Sequence, residues 1–465
     1  MVKGKNKKKK SEKKIKDNNN DEYEDMESED VTTNENTTKN KVQQVYLPGD
    51  PLDEDEELVR EESAYEMFHE AQTGKFVLSF LGDPCLSFDI LSDNLGMDRS
   101  QYPHTVFIVC GTQAEKADRN SVMVVKMSNL TKTLKEKTSD AESDDDDDDE
   151  EEDSKPEFES VSLKHFGCVN RIRSTVINER KIAATWSDTG KVHIWDLSRL
   201  VHAVNDSSVM SAYVRNQESP KPLFTFNGHM SEGFAMDWSP VVPGMLATGD
   251  CSKNIHIWKP NDTEWLVDQR PYTGHTSSVE DIQWSPNEES VFTSCSVDRS
   301  IRIWDIRAMP SKACMLTEAD AHTSDVNVIS WNKFEPFIVS GGDDGYIKVW
   351  DLRQFSKQTP VASFKHHTSA ITSVEWHDTD SSVFAAAGAD NQITLWDLAV
   401  EKDDEEKKEQ AVASNNNQLE NLPDQLLFIH MGQTDIKEVH WHRQIPGLLL
   451  STALSGFNIF KTISA

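Results

Sequence analysis

The chain has 465 residues, with 80 Asp+Glu against 48 Lys+Arg and a formal net charge of -32. So acidic a balance argues against a surface for nucleic acid or anionic lipid, which both need positive charge, and favours basic protein partners. No apolar stretch approaches the length of a membrane span, and the first residues lack an apolar core, so neither a spanning helix nor a secretory signal is expected.

Taken in chain order, residues 1–41 form a tail that is basic and then acidic. Residues 1–16 carry nine lysines against Glu12, a run that suits a nuclear or nucleolar address. Residues 21–70 then carry eighteen acids against three basic residues. Like-charge blocks repel themselves and are expected to be disordered. Within the segment 42–74, residues 53–72 predict a helix. Acids crowd its first turn, where the helix dipole favours them, and Gly74 stops it. Leu58, Tyr65, Phe68 and Ala71 share one stripe at helical spacing. From Lys75 to the end the pattern changes. LSFDI (86–90), TVFIVCGT (105–112) and SVMVVKM (121–127) read as three strands separated by polar turns. An insert at 131–160 follows, with twelve carboxylates in the fourteen positions 140–153, including Asp144, Asp145, Asp146, Asp147, Asp148 and Asp149. Ser139 and Ser143, each with an acid three residues on, resemble acidophilic kinase sites.

The remaining 300 or so residues repeat, which fixes the fold class. His229 to Trp258, His275 to Trp304 and His367 to Trp396 each span 29 residues, and His322 to Trp350 spans 28. Weaker copies run from His165 to Trp195 and from His430 to Phe460. The strong copies start 46, 47 and 45 residues apart, close to the WD40 period. With the three strands near 86–127, the count predicts an all-β, seven-bladed WD40 β-propeller over 75–465. Insertions at 198–222 and 399–425 should project as mobile loops.

In such repeats a His before the blade, a Ser or Thr in its second strand, an Asp in the next turn and the closing Trp form a hydrogen-bonded tetrad. The matching residues are His275, Ser294, Asp298 and Trp304, then His322, Ser340, Asp344 and Trp350. Two copies look incomplete. His367, Asp390 and Trp396 have Ala386 where Ser is expected, and His229, Thr248 and Trp258 have Ser252 where Asp is expected. A Ser–His–Asp set that recurs blade after blade is structural rather than a hydrolase triad, and no GxSxG accompanies it. There is no GxxxxGK[ST], no HExxH and no calcium-loop geometry, so no enzyme activity, cofactor or metal is expected. Six scattered cysteines, at 85, 110, 168, 251, 295 and 314, lack zinc spacing and read as free thiols. Cys110, Cys251 and Cys295 are expected in strands.

The strings VYLPGD (45–50), AYEMFHEAQTG (64–74), GTQAEKAD (111–118), VDQRPYTGHTSSVEDIQWSP (267–286) and STALSGFNIFKTIS (451–464) go beyond a generic repeat. On these the chain resembles the glutamate-rich WD-repeat family, over nearly everything from 42 to 465. The resemblance implies a nucleolar factor for making the large ribosomal subunit, similar to a dedicated chaperone for newly made large-subunit ribosomal protein three. It also implies likeness to the histone-binding, retinoblastoma-binding WD class. Both clients, a ribosomal protein and core histones, are basic. Candidate contacts are Glu57, Glu61, Glu62, Tyr65 and Phe68 on the helix and the Asp144–Asp149 run, although a carboxylate run is usually just solvated. Trp304–Arg307 and Trp350–Arg353 resemble the WDxR box of cullin ubiquitin-ligase receptors, in which Arg307 and Arg353 would meet an adaptor. The plainer expectation is that both arginines bond to neighbouring blades. The leading reading is a monomeric ribosome-biogenesis chaperone, with a histone chaperone and a ubiquitin-ligase receptor as its rivals.

Overall fold

Apolar alternation broken every few residues by a Gly-, Asp- or Asn-bearing turn dictates short antiparallel strands. A computed structural model shows them in residues 83–131, 156–261, 264–400, 422–454 and 456–462, the residues it describes. The chain divides into two compact units, 1–44 and 45–465, and every described residue belongs to the second. Seven antiparallel sheets follow one another in chain order. Their innermost strands are Cys85–Ile90, Val169–Ile177, Ala235–Trp238, Val279–Trp284, Val326–Trp331, Ile371–Trp376 and Ile436–Trp441, which we number as blades 1 to 7. Six blades have four strands, and the seventh has three among the described residues. Each inner strand packs on the next, and that of blade 7 packs on that of blade 1, so the ring is a closed seven-bladed β-propeller.

The seams between blades show a rule. A side chain of one inner strand bonds to the backbone of the next. Asp89 accepts from Ser174 N (2.5 Å), Asp237 from Trp284 N (2.8 Å) and Asp281 from Ile329 N (3.1 Å). Ser330 accepts from Trp376 N (3.1 Å), Ser373 from Val439 N (3.2 Å) and Glu438 from Phe88 N (3.0 Å). At the seam of blades 2 and 3 the indole of Trp238 donates to Arg173 O (2.9 Å). Buried polar backbone between sheets is thereby satisfied. The packing is also sterically close. A Cβ on Gly341 of blade 5 would sit 2.3 Å from Ile371 of blade 6, so only glycine fits.

Three expectations are corrected. Residues 198–222 are not a loop. They hold two helices, α1 (Ser198–Asn205) and α2 (Ser207–Arg215), with Asp206 capping α2 by accepting from the N–H groups of Ser208 and Val209. Leu200, Ala203, Val204 and Tyr213 bury this hairpin against blades 1 and 2, and Tyr213 Oη donates to Ser162 O (3.0 Å). The insert 131–160 ends sooner than expected, because Glu157–Lys164 is the fourth strand of blade 1. Cys251 lies in the turn after the second strand of blade 3, whereas Cys110 and Cys295 are buried in strands. The helix 53–72, most of the insert at 131–160 and residues 401–421 lie outside the described residues.

Candidate functional site: the acidic mouth of the ring

The repeated tetrads come first, because they set the loops that form the site. His275 Nδ1 lies 3.0 Å from Asp298 Oδ2, and its Nε2 lies 2.7 Å from Ser294 Oγ. A carboxylate only accepts, so Nδ1 carries the proton and Nε2 accepts from the hydroxyl. The hydroxyl oxygen is then free to accept from Trp304 Nε1 (2.8 Å). His322, Asp344, Ser340 and Trp350 repeat this at 3.0, 2.8 and 2.9 Å. Burial pushes the His275 and His322 imidazoles below their usual pKa, while Asp298 and Asp344 are held low. Burial alone would raise these carboxylates, but the bonds from His and backbone N–H outweigh it. The tetrad is thus neutral imidazole on ionised carboxylate, buried in each blade.

The two copies that looked incomplete are complete. In blade 3 the acid is Asp250, two residues before Ser252, at 2.9 Å from His229 Nδ1, and Thr248 links His229 (2.8 Å) to Trp258 (2.9 Å). In blade 6 the hydroxyl comes from the third strand. Thr394 meets both His367 Nε2 (2.9 Å) and Trp396 Nε1 (2.8 Å), and Asp390 meets His367 Nδ1 (2.9 Å). Blade 2 uses a carbonyl for the acid, with His165 Nδ1 on Gly167 O (2.9 Å) and Thr185 between His165 and Trp195. In blade 7 Asn458 Nδ2 donates to His430 Nε2 (2.9 Å), and Phe460 stacks on the imidazole at 4.1 Å.

Each tetrad pins the loop before its inner strand and the turn after its second strand. Both lie at the same end of the blade, which we call the upper face. Around its axis these loops and the strand starts place Asp188, Glu232, Glu280, Asp325, Asp343 and Asp435. Burial raises the pKa of Glu280 and of Asp325, and neighbouring acids add to the effect, Asp325 on the first and Asp343 on the second. That mutual repulsion marks an unneutralised acidic surface. Asn170 orients Glu232 (2.9 Å), Asn327 orients Asp343 (2.8 Å) and Lys437 pairs with Asp435 (2.6 Å). Between blades 1, 2, 3 and 7 the mouth opens into a cavity of about 440 Å³. Its lining combines Asp188, Glu232 and Asp435 with Leu86, Phe234 and Leu454. Apolar walls under carboxylates suit a long cationic side chain, whose stem packs while its head pairs.

Deeper on the axis sits a group that no spacing in the sequence announces. Glu438 of blade 7 is buried and accepts from Ser87 Oγ (3.0 Å) of blade 1, and it pairs with Arg171 and Arg173 (3.2 Å) of blade 2. Burial would raise its pKa, yet the two guanidinium groups and His440 hold the carboxyl well below its usual range. His440 lies 2.9 Å from Glu375 and 3.4 Å from Glu438. These carboxylates outweigh burial and push the imidazole up to about 9. Asp237, with only distant cations, is pushed by burial up to about 7.

Of the residues singled out as partner contacts, Glu57, Glu61, Glu62, Tyr65, Phe68 and Asp144 to Asp149 lie outside the described residues. Arg307 and Arg353 stand on the opposite, lower face. They do not reach neighbouring blades. Each folds back on the aspartate of its own motif, Arg307 on Asp305 (2.5 Å) and Arg353 on Asp351 (2.9 Å), and both side chains are mostly exposed. Two-residue spacing places the guanidinium directly over its own carboxylate, closer than any acid of the next blade.

Ring, tetrads and pinned loops define the class, a WD-repeat propeller. Residues 267–305, 313–351 and 358–397 match the family described as "WD domain, G-beta repeat". Residues 55–131 match the one described as "Histone-binding protein RBBP4" or a component of the CAF1 complex. The chain is 43% identical to "Protein HEAT STRESS TOLERANT DWD 1" of Arabidopsis thaliana, over 89% of this chain and 90% of the relative. It is 42% identical to "Ribosome assembly protein rrb1" of Schizosaccharomyces pombe, over 90% and 84%. It is 42% identical to "Glutamate-rich WD repeat-containing protein 1" of Dictyostelium discoideum, over 89% and 83%. The chain belongs to the glutamate-rich WD-repeat family that these relatives represent.

Proposed function

We propose that the protein is a non-enzymatic carrier in ribosome assembly that holds a newly made basic ribosomal protein against its acidic upper face. The observation behind this reading is the ring of Asp188, Glu232, Glu280, Asp325, Asp343 and Asp435 around an open cavity. Its biological setting follows the relative named as a ribosome assembly protein. The hydroxyls of Ser294 and Ser340 are fully buried and committed to His and Trp, so they are structural groups and not nucleophiles.

The physical logic is competition. A ribosomal protein's Lys and Arg residues would bind any RNA they meet, through counterion release. Carboxylates presented on a rigid ring occupy those side chains until ribosomal RNA, with its denser charge, displaces them. Glu57, Glu61 and Glu62 and the run Asp144 to Asp149 would extend the acidic surface, and the lysine run in residues 1–16 suits delivery to the nucleolus. By resemblance the client is large-subunit ribosomal protein three.

A second reading is favoured by the match of residues 55–131 to a histone-binding family. A third rests on the exposed Arg307 and Arg353, which leave the lower face open to a ubiquitin-ligase adaptor while the upper face is filled. Affinity purification from nuclear extract at two salt concentrations separates them. The expected result is one ribosomal protein at near-stoichiometric yield, lost when Asp188, Glu232 and Asp435 are changed together to amides. Core histones dominating at moderate salt would put the second reading in its place. An adaptor retained by the triple amide variant and lost with Arg307→Glu and Arg353→Glu would establish the third.

A further inference from the structure

The acidic mouth is flanked by side chains that a purely electrostatic holder does not need. Phe166 and Met230 stand 63% and 85% exposed, on the loops leading into blades 2 and 3. Leu454 and Met431 are 55% and 39% exposed, on the loops of blade 7. All four belong to the upper face, and the cavity lies between the two pairs, since residues of blades 1, 2, 3 and 7 line it. Large apolar side chains scattered singly over a surface need no explanation, but two pairs on either side of an acid-lined cavity do. The loops that carry them are fixed. His165, His229 and His430 hold the loop bases by their tetrad bonds. The chain also runs tightly between blades 2 and 3, where a Cβ on Gly190 would lie 3.3 Å from Ser231 O. The apolar groups are therefore presented in place rather than free to fold back into a core.

Resting on the carrier reading above, we propose that the upper face selects its client by pattern as well as charge. The occupant is an extended basic segment with bulky apolar residues on both sides of its cationic centre. The cationic centre lies over Asp188, Glu232 and Asp435, while the flanking apolar residues pack on Phe166 with Met230 and on Leu454 with Met431. The carboxylates supply attraction that weakens with salt, and the apolar pairs supply a part that does not. Such a division lets the protein prefer one basic client among the many that share its charge.

The test uses the full chain and two synthetic peptides of equal length and charge. One has lysines with glycine flanks, and the other has the same lysines with leucine flanks. Binding is measured by fluorescence anisotropy at about 50 mM and about 200 mM salt. The leucine-flanked peptide is expected to bind about tenfold tighter or better, and to keep that advantage at the higher salt. The double variant Phe166→Ser, Met230→Ser is expected to lose the preference but still bind the glycine-flanked peptide. Changing Asp188 and Glu232 to amides should weaken both peptides alike. Equal binding of the two peptides, or a preference that survives the double serine variant, overturns the pattern reading and leaves the carrier reading standing. Failure of both peptides to bind at low salt overturns the carrier reading itself, and the pattern reading with it.

Discussion

Ser294 satisfies two buried groups at once, donating to His275 and accepting from Trp304. Ser294→Ala leaves both rings without that partner, and a loss of about 2–4 kcal/mol in denaturant unfolding is expected. Ala386→Ser should gain little by the same measure, because Thr394 already fills the role. The repeat ruler located the His and Trp of each tetrad but misjudged Asp250 and Thr394. A ruler counts residues, whereas a hydrogen bond needs only an oxygen within reach, and a neighbouring strand can supply one. On the axis, charge sets a pH profile. His440 is raised to about 9 when folded, so its stabilising effect is full below about 6.5 and is lost as pH rises towards 9. Asp237, raised to about 7, also takes a proton on folding, and stability falls as pH rises through 7. The protein should therefore lose stability between pH 6.5 and 9. His440→Gln and Asp237→Asn should each flatten that loss in melting temperatures taken across the range, and an unchanged slope in both would mean these groups are not shifted.

At the scale of elements, what was legible is what repeats locally. Strands with period-two alternation between turn residues were placed closely, as in Val279–Trp284 and Val326–Trp331. The helical hairpin was missed because α1 and α2 have only eight and nine residues, too short for periodicity to stand out from a linker. Glu157–Lys164 was masked by the acidic run before it, although Phe158, Val161 and Leu163 carry its apolar positions. The hairpin is nonetheless part of the core. Leu200 is fully buried among blade 1 and 2 residues, and Leu200→Ala should cost about 2–5 kcal/mol. Arg215→Ala, on the exposed side of the hairpin, should cost almost nothing, and urea midpoints with equal slopes would show both.

At the scale of the molecule, the ring must join its ends, and no sequence pattern shows how. Ser87 and Glu438 are 351 residues apart, and their meeting depends on seven blades adding up to a full turn. Glu438 then ties three blades together, bonding to Ser87 and Phe88 of blade 1 and to Arg171 and Arg173 of blade 2 from its place in blade 7. Removing one member of a buried charge cluster leaves the others desolvated and unpaired, at a cost of about 3–5 kcal/mol. Glu438→Ala is expected to lose that much, and Glu438→Gln somewhat less, since the amide oxygen can still accept from Phe88 N. Where the loss falls is more telling than its size. Every other seam keeps its own side-chain latch, so hydrogen exchange should quicken first in the inner strands of blades 7, 1 and 2 and leave blades 4 and 5 protected. Exchange rising evenly around the ring would mean that the propeller opens only as a whole and that Glu438 is one latch among seven. Exchange confined to the three blades would make it the clasp, and the cavity of the acidic mouth, lined by those blades and blade 3, would open with it.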